Sequence, residues 1–437
     1  MRNLAGAINA GNILLLICLS GIGVQALYAQ TLPQSPLVED LESAVTNYRD
    51  RLDELQAGYS PETTEVNLDL AAALSRLERH DEAAAAYEQA LQNQRIRDGL
   101  YSESQLQILE SAIESAMSGQ RWSLVDRNFY LALSILEHSV AITDPRFEKW
   151  VRWFTHWSIT THRNQLELSE DNSSLQDALA YYELLESGLE ESDPDYLAKK
   201  LIYTREKSLA HYFTAIAISA TPYDEFSSQA PQTTTGQRCY VVMRNGQPTT
   251  ICNSTQVPNP EYFESRQEAK TVALQRQVRS ILGSYQELIS ELESDPSGAE
   301  TLATVTLELA EMNFMLRDRQ QANALFLRAH QILVDAGLAD TVGTALMSQP
   351  REIISNLLDP GLSPAEPLMA RPTGLVSFDV SAEGRVDNLV IMGQGEDLEA
   401  ENQELIADRL RRSVYRPRLL SGQPVDARLE LVPAAEL

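Results

Sequence analysis

The stretch LAAALSRLERHDEAAAAYEQA, from Leu70 to Ala90, decides how most of this chain is read. Leu70, Ala71 and Leu74 share one helical face, because residues three and four apart project to the same side. Glu78 to Asp81 is a polar turn, and Ala83, Tyr87 and Ala90 rebuild an apolar face on a second helix. Small side chains let two helices approach closely, and one aromatic ring fills the gap that remains. The pattern predicts an antiparallel helix pair.

The same signature returns at Leu309, Ala310 and Phe314, followed by Ala322, Phe326 and Ala329. A degenerate copy runs through Ala112, Gly119, Trp122, Phe129 and Ala132, offset from the first by about 42 residues rather than the roughly 34 of a standard repeat. Tyr181 and Tyr182 near Ala178 mark a fourth, and Ala198 to Ala210 a further helix. On these marker positions, the span from about Leu37 to Leu338 resembles tetratricopeptide-repeat (TPR) proteins. The resemblance implies stacked helix pairs whose concave surface takes peptides or other proteins. Chance mimicry by Ala-rich amphipathic helices can explain one such window, but it explains two much less well.

Trp150, Trp153 and Trp157 stand at i, i+3 and i+7 and so share a face. Packing between repeats is expected of them rather than a ligand patch. The six histidines are scattered, His156 and His162 do not meet on a regular helix, and no HExxH or CxxC spacing occurs. No metal site or cofactor is expected.

Residues 373–437 change character. Val376, Phe378 and Val380 alternate with Ser377, Asp379 and Ser381, the period of a half-buried strand. Ala382, Glu383 and Gly384 make a turn, and a second strand follows through Val386, Leu389 and Ile391. A helix is predicted from Asp397, with Asp397, Glu399 and Glu401 in its first turn and Arg409, Arg411 and Arg412 in its last, which suits the helix dipole. Ile406, Leu410 and Val414 form its apolar face. A last strand carries Val425, Ala427, Leu429 and Leu431 inward and Asp426, Arg428 and Glu430 outward. The order strand, strand, helix, strand predicts a small α+β (ββαβ) layer.

These residues resemble the C-terminal domain of TonB-type energy transducers. The parallels are Phe378-Asp379-Val380, Gly384-Arg385-Val386 with Asp387 and Asn388, Arg411 and Arg412 before Tyr415 and Pro417, and Gly422 to Val425. Strand addition suits that fold, because an exposed edge pairs with an extended segment through main-chain hydrogen bonds. The expected partner-binding edge is Ala427, Arg428, Leu429, Glu430, Leu431 and Val432.

Residues 221–261 interrupt the helices. Asn245-Gly246 is a favoured type I′ turn. Pairing outward from it sets Arg244 opposite Gln247, Val242 opposite Thr249, and Cys239 opposite Cys252. The cysteines then fall at a non-hydrogen-bonded pair, where side chains approach most closely and a disulfide fits. The hairpin is read as a brace on the array, a contact arm being the alternative.

The chain opens with Arg2 and an apolar run from Ile13 to Leu27, with Ala26 and Ala29 as small residues for cleavage. Residues 1–29 read as a secretory signal peptide, an uncleaved anchor being the rival. Removal of Cys18 with it leaves two cysteines, which suits an oxidising compartment. The expected organisation is therefore 1–29 signal peptide, 30–345 TPR-like helical domain with the 221–261 insertion, 346–372 short helix and Pro/Gly linker, and 373–437 TonB-like domain. The fold class is mainly α.

A formal charge of −27 argues against nucleic acid and anionic lipid, which require basic patches. No nucleophile elbow, phosphate loop or metal set occurs, so no catalysis and no small-molecule substrate are expected. The sequence points to a non-enzymatic scaffold in the periplasm of a Gram-negative bacterium, binding envelope proteins or peptides, an outer-membrane protein among them. The alternative is a membrane-anchored TonB-like energy transducer, which requires residues 1–29 to be retained.

Overall fold

A computed structural model describes residues 36–55, 58–164, 166, 174–227, 231–244, 247–294, 298–357, 375–392 and 413–433, with 404, 406, 407, 410 and 411 between the last two. The expected signal peptide, the Asn245-Gly246 turn, the 359–372 linker and the first turn of the C-terminal helix lie outside the described residues. The chain is mainly helical, with a few small antiparallel sheets and one disulfide.

Helices follow one another as antiparallel neighbours: α1 Pro36–Glu54, α2 Pro61–Arg76, α3 His80–Asp98, α4 Leu106–Ser118, α5 Trp122–Ser139, α6 Pro145–Asn164, α7 Ser174–Ser187 and α8 Tyr196–Ala220. The start of α2 is fixed locally: the Ser60 hydroxyl accepts from the Thr63 amide at 3.1 Å, and Pro61 occupies the first turn. Between α2 and α3, Ala71, Ala83 and Ala90 are fully buried, with Leu74 and Tyr87 beside them.

Three helix pairs share one turn. Glu78, Gln120 and Arg317 all take positive φ (59°, 55° and 66°). In each case the next residue's amide returns to a carbonyl five residues back: Arg79 to Leu74, Arg121 to Ala116 and Asp318 to Asn313. This is the six-to-one bond of a Schellman turn, which satisfies carbonyls that a helix end otherwise leaves open. The spacing between Glu78 and Gln120 is the 42-residue offset read from the side-chain pattern.

The tryptophans pack rather than line a surface. Trp150, Trp153 and Trp157 are buried around Phe129, with Trp153 edge-on to it at 4.9 Å. One core runs from α1 through α7. A second gathers α8 with α9 Pro260–Leu292, α10 Ala299–Met315, α11 Arg319–Asp335, and two short helices, α12 Thr344–Met347 and α13 Ile353–Leu357.

Between α8 and α9 stand β1 Thr233–Arg244 and β2 Gln247–Pro258. Their register is the one counted from the turn, with Arg244 opposite Gln247 and Cys239 opposite Cys252. The cysteines are disulfide-bonded, with Cα atoms 4.0 Å apart. One face of the ribbon is open to solvent. Thr233, Thr234, Thr235, Val241, Thr250, Cys252 and Ser254 are exposed, and the side chain of Asn259 ties its root to the Pro231 carbonyl at 2.9 Å.

Candidate functional site

The C-terminal module forms where the alternation in 375–392 and 427–433 places two sets of apolar residues on one side. Strands β4 Leu375–Val380, β5 Val386–Met392 and β9 Ala427–Pro433 make an antiparallel sheet in the order β5-β4-β9. Val376, Phe378 and Val380 are fully buried against the helical residues Ile406 and Leu410 and the ring of Tyr415. β4 carries register shifts toward both neighbours, which increase local twist.

The expected edge residues Ala427 to Val432 all belong to β9, which pairs with β4 on one side and is the outermost strand of its sheet among the described residues. Arg428 lies back over β4, donating to the Ser377 hydroxyl at 3.1 Å and facing the Asp379 carboxylate at 3.9 Å. Among the described residues no strand pairs with β9 on the side away from β4, and an extended edge of that kind is what a further strand adds to.

The module is seated on the helices through features the sequence did not reveal. Residues 351–352 (β3) pair with Tyr415 and Arg416 (β6), and the amide of Ile353 donates to the Val414 carbonyl at 3.0 Å. A small hairpin, β7 Arg418–Leu420 with β8 Gln423–Val425, lays Leu419 into the second helical core. Its turn residue Gly422 (φ 76°) lies so close to α11 that an added Cβ would stand 2.9 Å from the His330 Cβ. Gly384 (φ 73°) is tighter still, since a Cβ there would lie 2.5 Å from the Phe314 ring. Over the same ring sits the Arg319 guanidinium at 3.5 Å, and it donates to the Glu383 carbonyl at 2.7 Å.

At the centre of this junction Arg416 donates to the Glu311 carboxylate at 2.8 Å, both side chains about 1% exposed. Arg416 also donates to the Leu346 carbonyl. Burial raises the Glu311 pKa to about 7 although the Arg416 charge opposes it, and burial likewise lowers that of Arg416. One turn earlier on α10, Glu308 accepts from Arg205 of α8 at 2.9 Å, and burial raises its pKa too.

The neighbouring residue on α8 faces the other way. Glu206 is buried between Arg152 at 2.8 Å and His156 at 3.1 Å, and also accepts from the Tyr182 hydroxyl. Burial pushes its pKa up, but the His156 and Arg152 partners more than offset this and hold it below the ordinary carboxylate value. A line of buried ion pairs thus runs from α6 through α8 and α10 into the C-terminal module. Its groups are paired to one another. The signal available beforehand was Glu308 and Glu311 standing inside the apolar run Val305 to Phe314.

Among the described residues, no group of three His, Cys, Asp or Glu side chains is placed to hold a metal ion, and no helix is long and apolar enough to cross a membrane. A cleft of about 500 Å³ at the root of the β1–β2 ribbon is lined by Tyr223, Tyr262, Phe263 and Arg266. No protein-family model matches this chain, and no curated protein sequence matches it either.

Proposed function

We propose that this chain is an exported, non-enzymatic interaction scaffold: a TPR-like helical array holding a TonB-like module whose last strand takes an extended segment of an envelope protein. The observation that carries this reading is the position of β9, outermost in a sheet whose other face is packed and whose base is fixed to α10 and α11. The recurrent positive-φ turn at Glu78, Gln120 and Arg317, with alanines buried at each helix contact, supports the repeat reading. The Cys239–Cys252 disulfide supports an oxidising compartment such as the periplasm.

The test is cross-linking from β9 in cells, followed by fractionation. A photoreactive side chain placed at Glu430 should capture an envelope protein. The same probe at Glu88, on the helical array, should not capture that protein. Deleting residues 426–437 should abolish recovery of the captured protein with the full chain. Undiminished recovery after the deletion would sink the edge reading.

A further inference from the structure

We propose that the β1–β2 ribbon is a self-association arm, in which β2 of one chain pairs antiparallel with β2 of a second copy to make a continuous four-stranded sheet. A two-stranded ribbon with nothing packed on it is at best marginally stable in water. Here one face is open along the ribbon: Thr233, Thr235, Val241, Thr250 and Ser254 are exposed, as are the disulfide cysteines themselves. Among the described residues no third strand joins the sheet.

Charge selects the occupant. The chain carries 62 acidic residues and a formal charge of −27, yet there is no Asp or Glu between Glu225 and Glu261. Two copies approaching through their helical bodies bring acid against acid, whereas two ribbons do not. The two arginines of the ribbon, Arg238 and Arg244, both lie on β1. β2 has no charged residue, and its stretch Thr249–Val257 is rich in the β-branched residues that strands favour. Edges that must stay unpaired are ordinarily guarded by charge, and this one is not.

The backbone also fits itself. Pairs alternate along the ribbon, and the Cys239–Cys252 pair is of the close, non-hydrogen-bonded kind. By that alternation Thr250, Cys252, Ser254 and Gln256 turn their N–H and C=O groups away from β1, to the outer edge. Pro248 and Pro258 occupy the same parity at the two ends of β2, where each lacks an outward donor. The open donors are thus bracketed by prolines and symmetric about Asn253. A two-fold axis at Asn253 sets Cys252 opposite Ser254 and Thr250 opposite Gln256 of the second copy, each facing pair exchanging two bonds. It also sets Pro248 opposite Pro258, where no donor is needed. A closed two-fold contact of this kind makes a dimer and not a fibre.

The experiment is sedimentation of the full-length oxidised chain over a range of concentrations. A monomer–dimer equilibrium is expected. Ser254→Pro and Thr250→Pro each remove one outward N–H and no bond to β1, so each should weaken dimerisation at least tenfold. The Cys239–Cys252 disulfide, assayed by thiol titration, should remain intact. Asn253→Cys should give a covalent dimer on mild oxidation through the introduced thiols, identified by mass spectrometry of the linked peptides. A Gln237→Cys chain, with its thiol on the β1 edge, should not. A chain that is monomeric at every concentration would overturn the proposal, as would a dimer unaffected by Ser254→Pro with the disulfide formed.

Discussion

Two β additions are carried on the same helical array, and they are held by opposite means. The C-terminal module is fixed by burial: Leu419 enters the helical core, Gly384 and Gly422 admit helix atoms against bare backbone, and Arg416 meets Glu311 away from water. The β1–β2 ribbon is fixed by a covalent bond at mid-length and by Asn259 at its root, with exposed residues along both strands. A sheet that shares a core with helices gains stability from the area it removes from water. One that stands apart has only its own ladder, so restricting its unfolded state matters more.

Removing Arg416 should separate the two cases most sharply. Arg416→Ala strands a buried carboxylate, and breaking one partner of such a pair costs about 3–5 kcal/mol. Urea unfolding of the full chain should show this loss, and the double change Arg416→Met with Glu311→Leu should recover most of it. A single-variant loss below about 1 kcal/mol would mean that the junction is not sealed from solvent.

Cutting the disulfide should have a smaller and confined effect. In the chain-entropy model, closing a loop of this length contributes about 3 kcal/mol, here to the ribbon alone. With Cys239→Ser and Cys252→Ser, limited proteolysis inside 231–258 should accelerate while the urea midpoint of the helical body stays unchanged. A falling body midpoint would show that the ribbon supports the array after all.

The smallest effect concerns pH. Folding raises the Glu311 pKa from its ordinary 4.5 to about 7, so between those values the folded chain binds more protons than the unfolded one. Its contribution to stability is therefore fully present below 4.5 and declines as pH rises through the window. Subtracting the pH profile of Glu311→Gln from that of the parent chain should isolate a negative slope between pH 5 and pH 7, on the scale set by the cited linkage relation. A positive difference slope would mean that Arg416 dominates over burial.

What the sequence revealed was governed by locality. The helix pairs were legible because Leu70, Ala71, Ala83 and Tyr87 lie within one turn of a short hairpin, and periodicity reports such contacts directly. The ribbon's register was legible because Asn245-Gly246 fixes it by counting. The three strands of the C-terminal sheet were legible from alternation. Tertiary partnership was not: Arg416 lies 105 residues from Glu311, and Arg163 lies 189 residues from its partner Glu352. No local pattern encodes such pairings. Nor does it show whether a hairpin lies along its neighbours. The β7–β8 hairpin was hidden for a similar reason, since its strands are three residues each and too short to show alternation.

The seating of Gly384 and Arg416 on α10 has a mechanical consequence. A strand pulling along β9 loads the ladder to β4 in shear, and many hydrogen bonds must then yield together. From β4 the load passes by way of Gly384 to the Phe314 ring, and from β9 back through β8 and β7 to Arg416 and Glu311. Tension applied at the sheet edge is therefore shared with α10 and α11 through packed contacts at Gly384, Gly422 and Arg416.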